Sequence, residues 1–434
     1  MVTIFFIFLL IITLMILGVP IAYAFGGGGI LLLLIFDIQP LWAMNQSLQL
    51  ISAYTLLAAP LYVLLGTVIN HGGMAHRIID VADSFLGRIK GGAGIAVIVA
   101  NAFFGAMSGS AMAALGGIGR AFLPVMEKRG YPASYAISIL IPSSVLSLLI
   151  PPSMNMIMFG FLGRMSIARC FLAGIVPGLL LMTFFSITHL IIARKYAPNM
   201  DSAMEMSAKT QFKQIGKSIW KNGLTLLIPV VVLGVIYGGI ATPTESASLG
   251  VIYSLILAMF VYKTIKVNDL GKIFIDSSKL TGSLILLVFA FIVLSRVLII
   301  EQLSQQLLMV MMQITTNKYG IMGMLCVFIF FLGMIVDDGS VVVVSSILLL
   351  PIAKKIGFDQ YHFMVIAVLL SGAGLITPPV APLLYLGGHI AGDISLRTYA
   401  MPVIWFLIGG FLPVTILLIY FPKLATFLPY LFMG

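Results

Sequence analysis

The sequence predicts an all-α polytopic membrane protein with two repeats. Each repeat carries a helical hairpin that re-enters the membrane and a transmembrane helix broken near its middle. Three observations carry the prediction: too little polar surface for water, apolar runs of membrane-spanning length from end to end, and two copies of one pattern 227 residues apart.

Composition comes first. Of 434 residues, 61% are hydrophobic and 9% charged, with a mean hydropathy of +1.15, whereas soluble domains carry about 25% charged residues. Apolar runs at 3–24, 170–193, 222–240, 280–300 and 399–422 approach or exceed the roughly 20 residues that cross a bilayer as a helix. The first run has no basic region before it and is longer than the core of a signal peptide, so it reads as a retained first helix.

The net charge of +10 is placed for a membrane surface rather than for nucleic acid. Lys209, Lys213, Lys217 and Lys221 recur every fourth residue, with Phe212, Ile215, Ile219 and Trp220 between them. That spacing predicts an amphipathic helix in the headgroup region. A second basic stretch holds Lys263, Lys266, Lys272 and Lys279, and positive loops favour the cytoplasmic side.

The repeat holds over several motifs at one offset. "LPVMEKRGYPASY" at 123–135 lies over "LPIAKKIGFDQYH" at 350–362, pairing Pro124 with Pro351 and Gly130 with Gly357. Further on, Pro151 and Pro152 meet Pro378 and Pro379. Matched interruptions in duplicated halves point to the binding site of a secondary transporter. Proline removes a backbone donor and clashes one turn back, so the helix stops. Freed backbone groups survive at membrane depth only when buried in protein or facing a polar cavity. There, loose carbonyls suit a cation and the new helix N-terminus suits an anion.

Upstream of each break lies a second interruption. "GAMSGSAMAALGGIG" (105–119) places Ser108, Gly109 and Ser110 in a small-residue run, and "GMIVDDGSVVVV" (333–344) places Asp337, Asp338 and Gly339 between apolar stretches. Intramembrane carboxylates are costly unless paired or hydrated, which makes them functional candidates. Both stretches read as tips of hairpins entering from opposite sides, each meeting its own half's broken helix. Oxygen ligands of this kind suit Na⁺, a hard monovalent cation, as coupling ion; no cofactor or transition metal is expected.

The remaining polar residues are expected to play lesser parts. Cys170 and Cys326 read as inert buried thiols, and His71, His76, His189, His362 and His389 as interface or loop residues. Arg296, deep in apolar sequence, is a candidate counter-ion for an anionic substrate, though pairing with Glu301 or reaching to the interface would also place it. Thr242, Pro243 and Glu245 predict a capping box. The "GGGG" at 26–29 lacks the context of a phosphate loop and reads as a packing contact or helix break.

In combination, "NHGGMAHRIID" (70–80), "SGSAMAALGGIG" (108–119), "KRGYPASYA" (128–136), "IPPSMNMIMFG" (150–160), "FLAGIVPG" (171–178), "IPVVVLGVIYGGIATPTESA" (228–247), "LGMIVDD" (332–338) and "TPPVAP" (377–382) resemble the large membrane subunit of tripartite ATP-independent periplasmic (TRAP) transporters. The resemblance covers essentially the whole chain. It implies an inverted-repeat, elevator-type fold and sodium-coupled import of an organic acid across a bacterial inner membrane. It also implies two partners, a small four-helix membrane subunit and a periplasmic substrate-binding protein. With the first apolar run beginning at residue 3, the small subunit is expected as a separate chain.

By position, the resemblance lays Ser108, Ser110, Ser144 and Ser147 on a first sodium site, and Asp337, Gly372, Gly374 and Thr377 near a second. Ser153, Asn155 and Arg296 are the expected substrate contacts. The sequence departs from the family's usual glycines at Ser143, Ser144, Ser147 and Ala381, and from an asparagine often found near Leu370. The expected division is scaffold helices and arm over 1–92, transport parts over 93–165 and 319–392, scaffold and amphipathic linker over 166–318, and a C-terminal helix over 393–434. A self-sufficient sodium- or proton-coupled dicarboxylate or citrate symporter is the alternative. An enzyme is not expected, because no nucleophile–base pair, metal cluster or nucleotide loop is present.

Overall fold

The computed structural model describes residues 2–86, 90–198, 200 and 208–433; at the starts of Val2–Ile16 and Ala208–Tyr237, side chains are described from residues 3 and 211. These residues fold into helices joined by short turns. Eight of the described helices are long and apolar enough to cross a membrane, among them Tyr54–His71, Ile167–Tyr196, Val267–Ile300 and Leu396–Tyr420. Large apolar side chains such as Phe5, Trp42, Phe260, Phe331 and Trp405 face outward, which suits lipid and not water.

The helix Val267–Ile300, 34 residues long, is the spine of the molecule. It packs along Ile21–Ile35, where the glycine run makes the contact: a Cβ on Gly29 would stand 3.2 Å from the Leu294 backbone nitrogen. The run is therefore a packing surface, and the helix continues through it. The single helix expected over 3–24 is two, Val2–Ile16 and Ile21–Ile35. Gly18, at φ +88°, and Pro20 divide them.

The expected amphipathic linker is also different. Ala208–Tyr237 is one helix of 30 residues, so Lys213, Lys217 and Lys221 stand on the extension of a span; the side chain of Lys209 lies outside the described residues. Gly216 and Gly223 lie within it without ending it. Arg77 fastens this helix to its neighbours, donating to Asn222 at 3.2 Å and lying 3.4 Å over the Tyr262 ring.

The capping box forms as the sequence predicts. Glu245 N donates to Thr242 Oγ1 at 3.3 Å, and Thr242 N donates to Glu245 Oε2 at 2.8 Å. Thr242→Ala should lower stability by about 1 kcal/mol, seen as a reduced thermal midpoint with uptake per folded molecule unchanged.

Two sets of helices build the interior. The first hairpin is Gly92–Ser108 with Ala111–Lys128. The first broken helix is Ala133–Ser144, a short turn Leu146–Leu149, and Met154–Leu162. The second hairpin pairs Lys318–Ile335 with a return arm over 338–355. The second broken helix is Gln360–Leu375 and Pro382–Ile390. The outer boundaries of these arms recur 227 residues on to within one residue, although the first broken helix is further interrupted at Val145 and the second return arm at 345–349. Both double-proline bonds are cis.

The histidines are not all interface or loop residues. His189 is fully buried, stacked 5.9 Å from Tyr135 with Nε2 3.0 Å from the Gly91 carbonyl. His362 is buried with Nε2 2.6 Å from the Leu418 carbonyl. Each imidazole has a backbone partner, which lets a polar ring sit inside. Cys170 and Cys326 are buried thiols.

Candidate functional site

Each hairpin turns in two residues, and each return arm begins on a polar cap at the repeat offset. Ser110 Oγ accepts from Ala113 N at 3.4 Å, while Asp337 accepts from Ser340 N at 3.3 Å and from Ser340 Oγ at 2.5 Å. Such caps satisfy donors that the first turn leaves open. Gly109 turns the first tip in a left-handed conformation, φ +61°. A Cβ there would come within 2.8 Å of the Pro152 carbonyl oxygen.

Each tip is clasped to its own half's break by a main-chain bond. Met154 N donates to the Gly109 carbonyl at 3.2 Å, and Val380 N donates to the Met334 carbonyl at 3.1 Å. A further bond joins the halves: Asn155 Nδ2 donates to Asp338 Oδ2 at 2.9 Å across 183 residues of sequence. The broken helices also touch directly, since a Cβ on Gly372 would overlap the Val145 side chain at 2.1 Å.

Between the tips, the first break and the spine lies a cavity of about 300 Å³. Ser108, Ser110, Asn155, Asp337 and Asp338 line it, with Thr67 and Asn70 from Tyr54–His71 and Ser283 from the spine. Among the described residues around it are two carboxylates and no lysine, arginine or histidine. It adjoins a second opening of about 440 Å³ that shares Asn70 and Ala113 and adds His71, His76 and Arg120. His71 Nε2 lies 3.4 Å from Asp276 Oδ2 there, at the lysine-bearing end of the spine.

The sequence-predicted site residues divide into four groups. Ser108, Ser110, Asn155 and Asp337 meet at the cavity. Ser144, Ser147 and Ser153 are fully buried behind it. Ser144 Oγ donates to the Ile141 carbonyl at 2.7 Å, and Ser153 Oγ to the Leu148 carbonyl at 2.5 Å. By contrast, the hydroxyls of Ser108 and Ser147 and Oδ1 of Asn101 are buried with no hydrogen-bond partner. Buried oxygens of this kind ask for a donor, a water or a cation.

Gly372, Gly374 and Thr377 do not line the cavity. Gly374 lies against the outgoing arm of the second hairpin, where a Cβ would be 2.3 Å from the Gly333 carbonyl carbon. Thr377 Oγ1 donates to the Ala373 carbonyl at 2.8 Å. Ser147 stands at the repeat position of Gly374, and Gly105 approaches it in the same way, with a Cβ position 2.4 Å from Ser147 Cα. The contact that glycine makes in one half thus carries a hydroxyl in the other. Ala381 holds the left-handed backbone, φ +39°, at a position where the resemblance leads one to expect glycine.

Arg296 is not brought to this cavity. It lines a separate one with Arg164 and Lys354, and no ion pair with Glu301 occurs among the described residues. Sequence reasoning missed Asn101, whose Nδ2 donates to Ser143 Oγ at 2.8 Å. A lone amide in the apolar run 92–108 is the signal that could have found it.

The family model described as "Tripartite ATP-independent periplasmic transporter, DctM component" matches residues 8–424. The chain is 32% identical to the C4-dicarboxylate TRAP transporter large permease protein DctM of Pseudomonas aeruginosa, over 87% of this chain and 86% of that one. It is 31% identical to the sialic acid TRAP transporter large permease protein SiaM of Vibrio cholerae, over 91% and 90%. In fold it is similar to the crystal structure of the Alcanivorax borkumensis YdaH transporter, described as having an unusual topology. That likeness has a TM-score of 0.50 at 12% identity, covering 84% of this chain and 85% of that one.

Proposed function

The chain belongs to the family of DctM components of tripartite ATP-independent periplasmic transporters, a polytopic membrane permease and not an enzyme, and from that premise we propose that it imports a small organic acid anion, a carboxylate or sulfonate, driven by Na⁺. The solute is delivered by a periplasmic binding protein, and a small membrane subunit completes the complex in the bacterial inner membrane. The printed names of its relatives, C4-dicarboxylate and sialic acid permeases, support the solute class.

One observation carries the coupling. The cavity where both tips and the first break converge holds Asp337 and Asp338 with no basic side chain among its described lining. An anion entering it meets like charge in a medium of low dielectric, which is strongly unfavourable. Cations bound beside the carboxylates remove that repulsion, so the solute binds well only in their company. Ser108, Ser147 and Asn101 supply the unpartnered oxygens for one such ion. The opening toward His71 and Arg120 supports release at the lysine-rich, cytoplasmic side. We take both hairpins and both broken helices as the moving body of an elevator, with the spine as part of its fixed frame.

The test is uptake into proteoliposomes holding this chain and its small subunit. A panel of labelled organic acids is offered with and without an inward Na⁺ gradient and the cognate binding protein. Uptake requiring both supports the reading; uptake with Na⁺ alone makes the chain a self-sufficient symporter. Ser108→Ala and Ser147→Ala should each weaken a Na⁺ contact by about 1 kcal/mol, raising the half-saturating Na⁺ concentration about fivefold. Ser138→Ala, whose hydroxyl donates to the Tyr135 carbonyl, should leave it unchanged. Equal sodium dependence in all three would remove the two serines from the ion site.

A further inference from the structure

The cavity that holds Arg296 has no part in the site above, and its chemistry is opposite. It measures about 580 Å³ and lies between the end of the first broken helix, the return arm of the second hairpin and the spine. Arg164, Arg296 and Lys354 line it with Ser295 and Ser346, and no aspartate or glutamate is among the described lining. None of the ion pairs among the described residues engages any of the three cations. Arg296 Nε is buried without a hydrogen-bond partner.

The cluster is assembled from both halves of the chain. Arg164 follows Met154–Leu162 in a left-handed conformation, φ +54°. The turn before it rests on the second hairpin, where a Cβ on Gly163 would be 3.1 Å from Leu350 Cδ2. Lys354 lies one turn beyond Leu350 on that arm. Arg296 reaches in from the spine. Ser295 of this cavity and Ser283 of the carboxylate-lined one are separated by about 18 Å of helix at 1.5 Å per residue. The basic cavity therefore lies toward the end of the spine away from Lys266, Lys272 and Lys279, the outer end by the positive-inside rule.

We propose that this cavity is an outer anion-binding vestibule, where the carboxylate of the transported acid is held by Arg164, Arg296 and Lys354 before it reaches the inner site. Three uncompensated cations concentrate anions at the mouth. Guanidinium groups bind carboxylates in a planar, two-pronged manner. The volume falls in the usual range for a small-molecule pocket. Because one part of the lining belongs to the spine and another to the second hairpin, an anion held there contacts both the frame and the moving body. The inference rests on the organic-acid reading. A lipid phosphate shares the anionic chemistry, and the test separates the two.

The test uses the full chain carrying Ile299→Cys in liposomes. Ile299 lines the cavity and is 58% exposed, while native Cys170 and Cys326 are buried. Labelling rates are compared for 2-sulfonatoethyl and 2-trimethylammonioethyl methanethiosulfonate, which are anionic and cationic. The preference for the anionic reagent should fall at least about tenfold when Arg164→Gln, Arg296→Gln and Lys354→Gln are combined. Arg296→Lys alone should retain most of it, which separates charge from misfolding.

In pure phosphatidylcholine, millimolar succinate or N-acetylneuraminate should slow the anionic labelling. A preference that neutralisation leaves unchanged overturns the proposal. Slowing only by added phosphatidylglycerol, with neither acid acting, also overturns it and assigns the cavity to a lipid headgroup. Neither result touches the import reading, which stands or falls on uptake.

Discussion

Replacing Asp338 by alanine is expected to reduce uptake by about 10- to 100-fold while leaving the protein folded and inserted. Asp338 faces the cavity and accepts the Asn155 amide, the side-chain bond that joins the two halves at the site. A hydrogen bond to a charged group is worth about 1.5–3 kcal/mol, and each 1.4 kcal/mol is a factor of ten. The loss also takes one of two carboxylates from the place where we put the coupling ions. A double-mutant cycle with Asn155→Ala reads the bond directly. If the two residues act through it, the double variant transports no worse than Asp338→Ala. Uptake at the wild-type rate by Asp338→Ala, at equal protein in the membrane, would sink the site.

The second large effect is expected at a residue outside the cavity lining. Gly374→Ala places a methyl group 2.3 Å from the Gly333 carbonyl carbon. Backbone cannot turn aside as a side chain can, so the second hairpin and its broken helix must part. Overpacking of this kind costs about 1–3 kcal/mol or more. The expected result is a lower yield of monodisperse protein and loss of uptake. Gly323→Ala, which meets nothing within 4 Å, is the control and should behave as wild type. Size-exclusion profiles and thermal midpoints of the two variants decide the matter; equal profiles would mean that the contact gives way.

The helical architecture was legible because its punctuation is local. Prolines 151, 152, 378 and 379, and the turns at Ser108–Ser110 and Asp337–Gly339, are read by rules that act over a few residues, and helices do end there. The capping box at Thr242 was legible for the same reason. The apolar run over 3–24 has the length of one span, yet Gly18 and Pro20 divide it into two helices.

The site was legible only in part. Ser108, Ser110, Asn155 and Asp337 do face one cavity. That Asn155 would bond to Asp338, or that Arg296 would join Arg164 and Lys354, depends on how two distant halves cross, which no window of sequence records. Gly372 and Gly374 show the same limit. The sequence marks them as permissive backbone, and only packing shows them to be points of closest approach.

The bond between Asn155 and Asp338 has a consequence for how the protein is made. Its partners are 183 residues apart, and a ribosome adds about 5–20 residues per second. The first half therefore waits in the membrane for roughly 10–40 s before its counterpart emerges. During that interval Asn155 and the hydroxyls near it lack the neighbours that will enclose them, so the insertion machinery or another helix must shelter them from lipid. Biogenesis, and not only the finished permease, sets limits on how polar that first break can become.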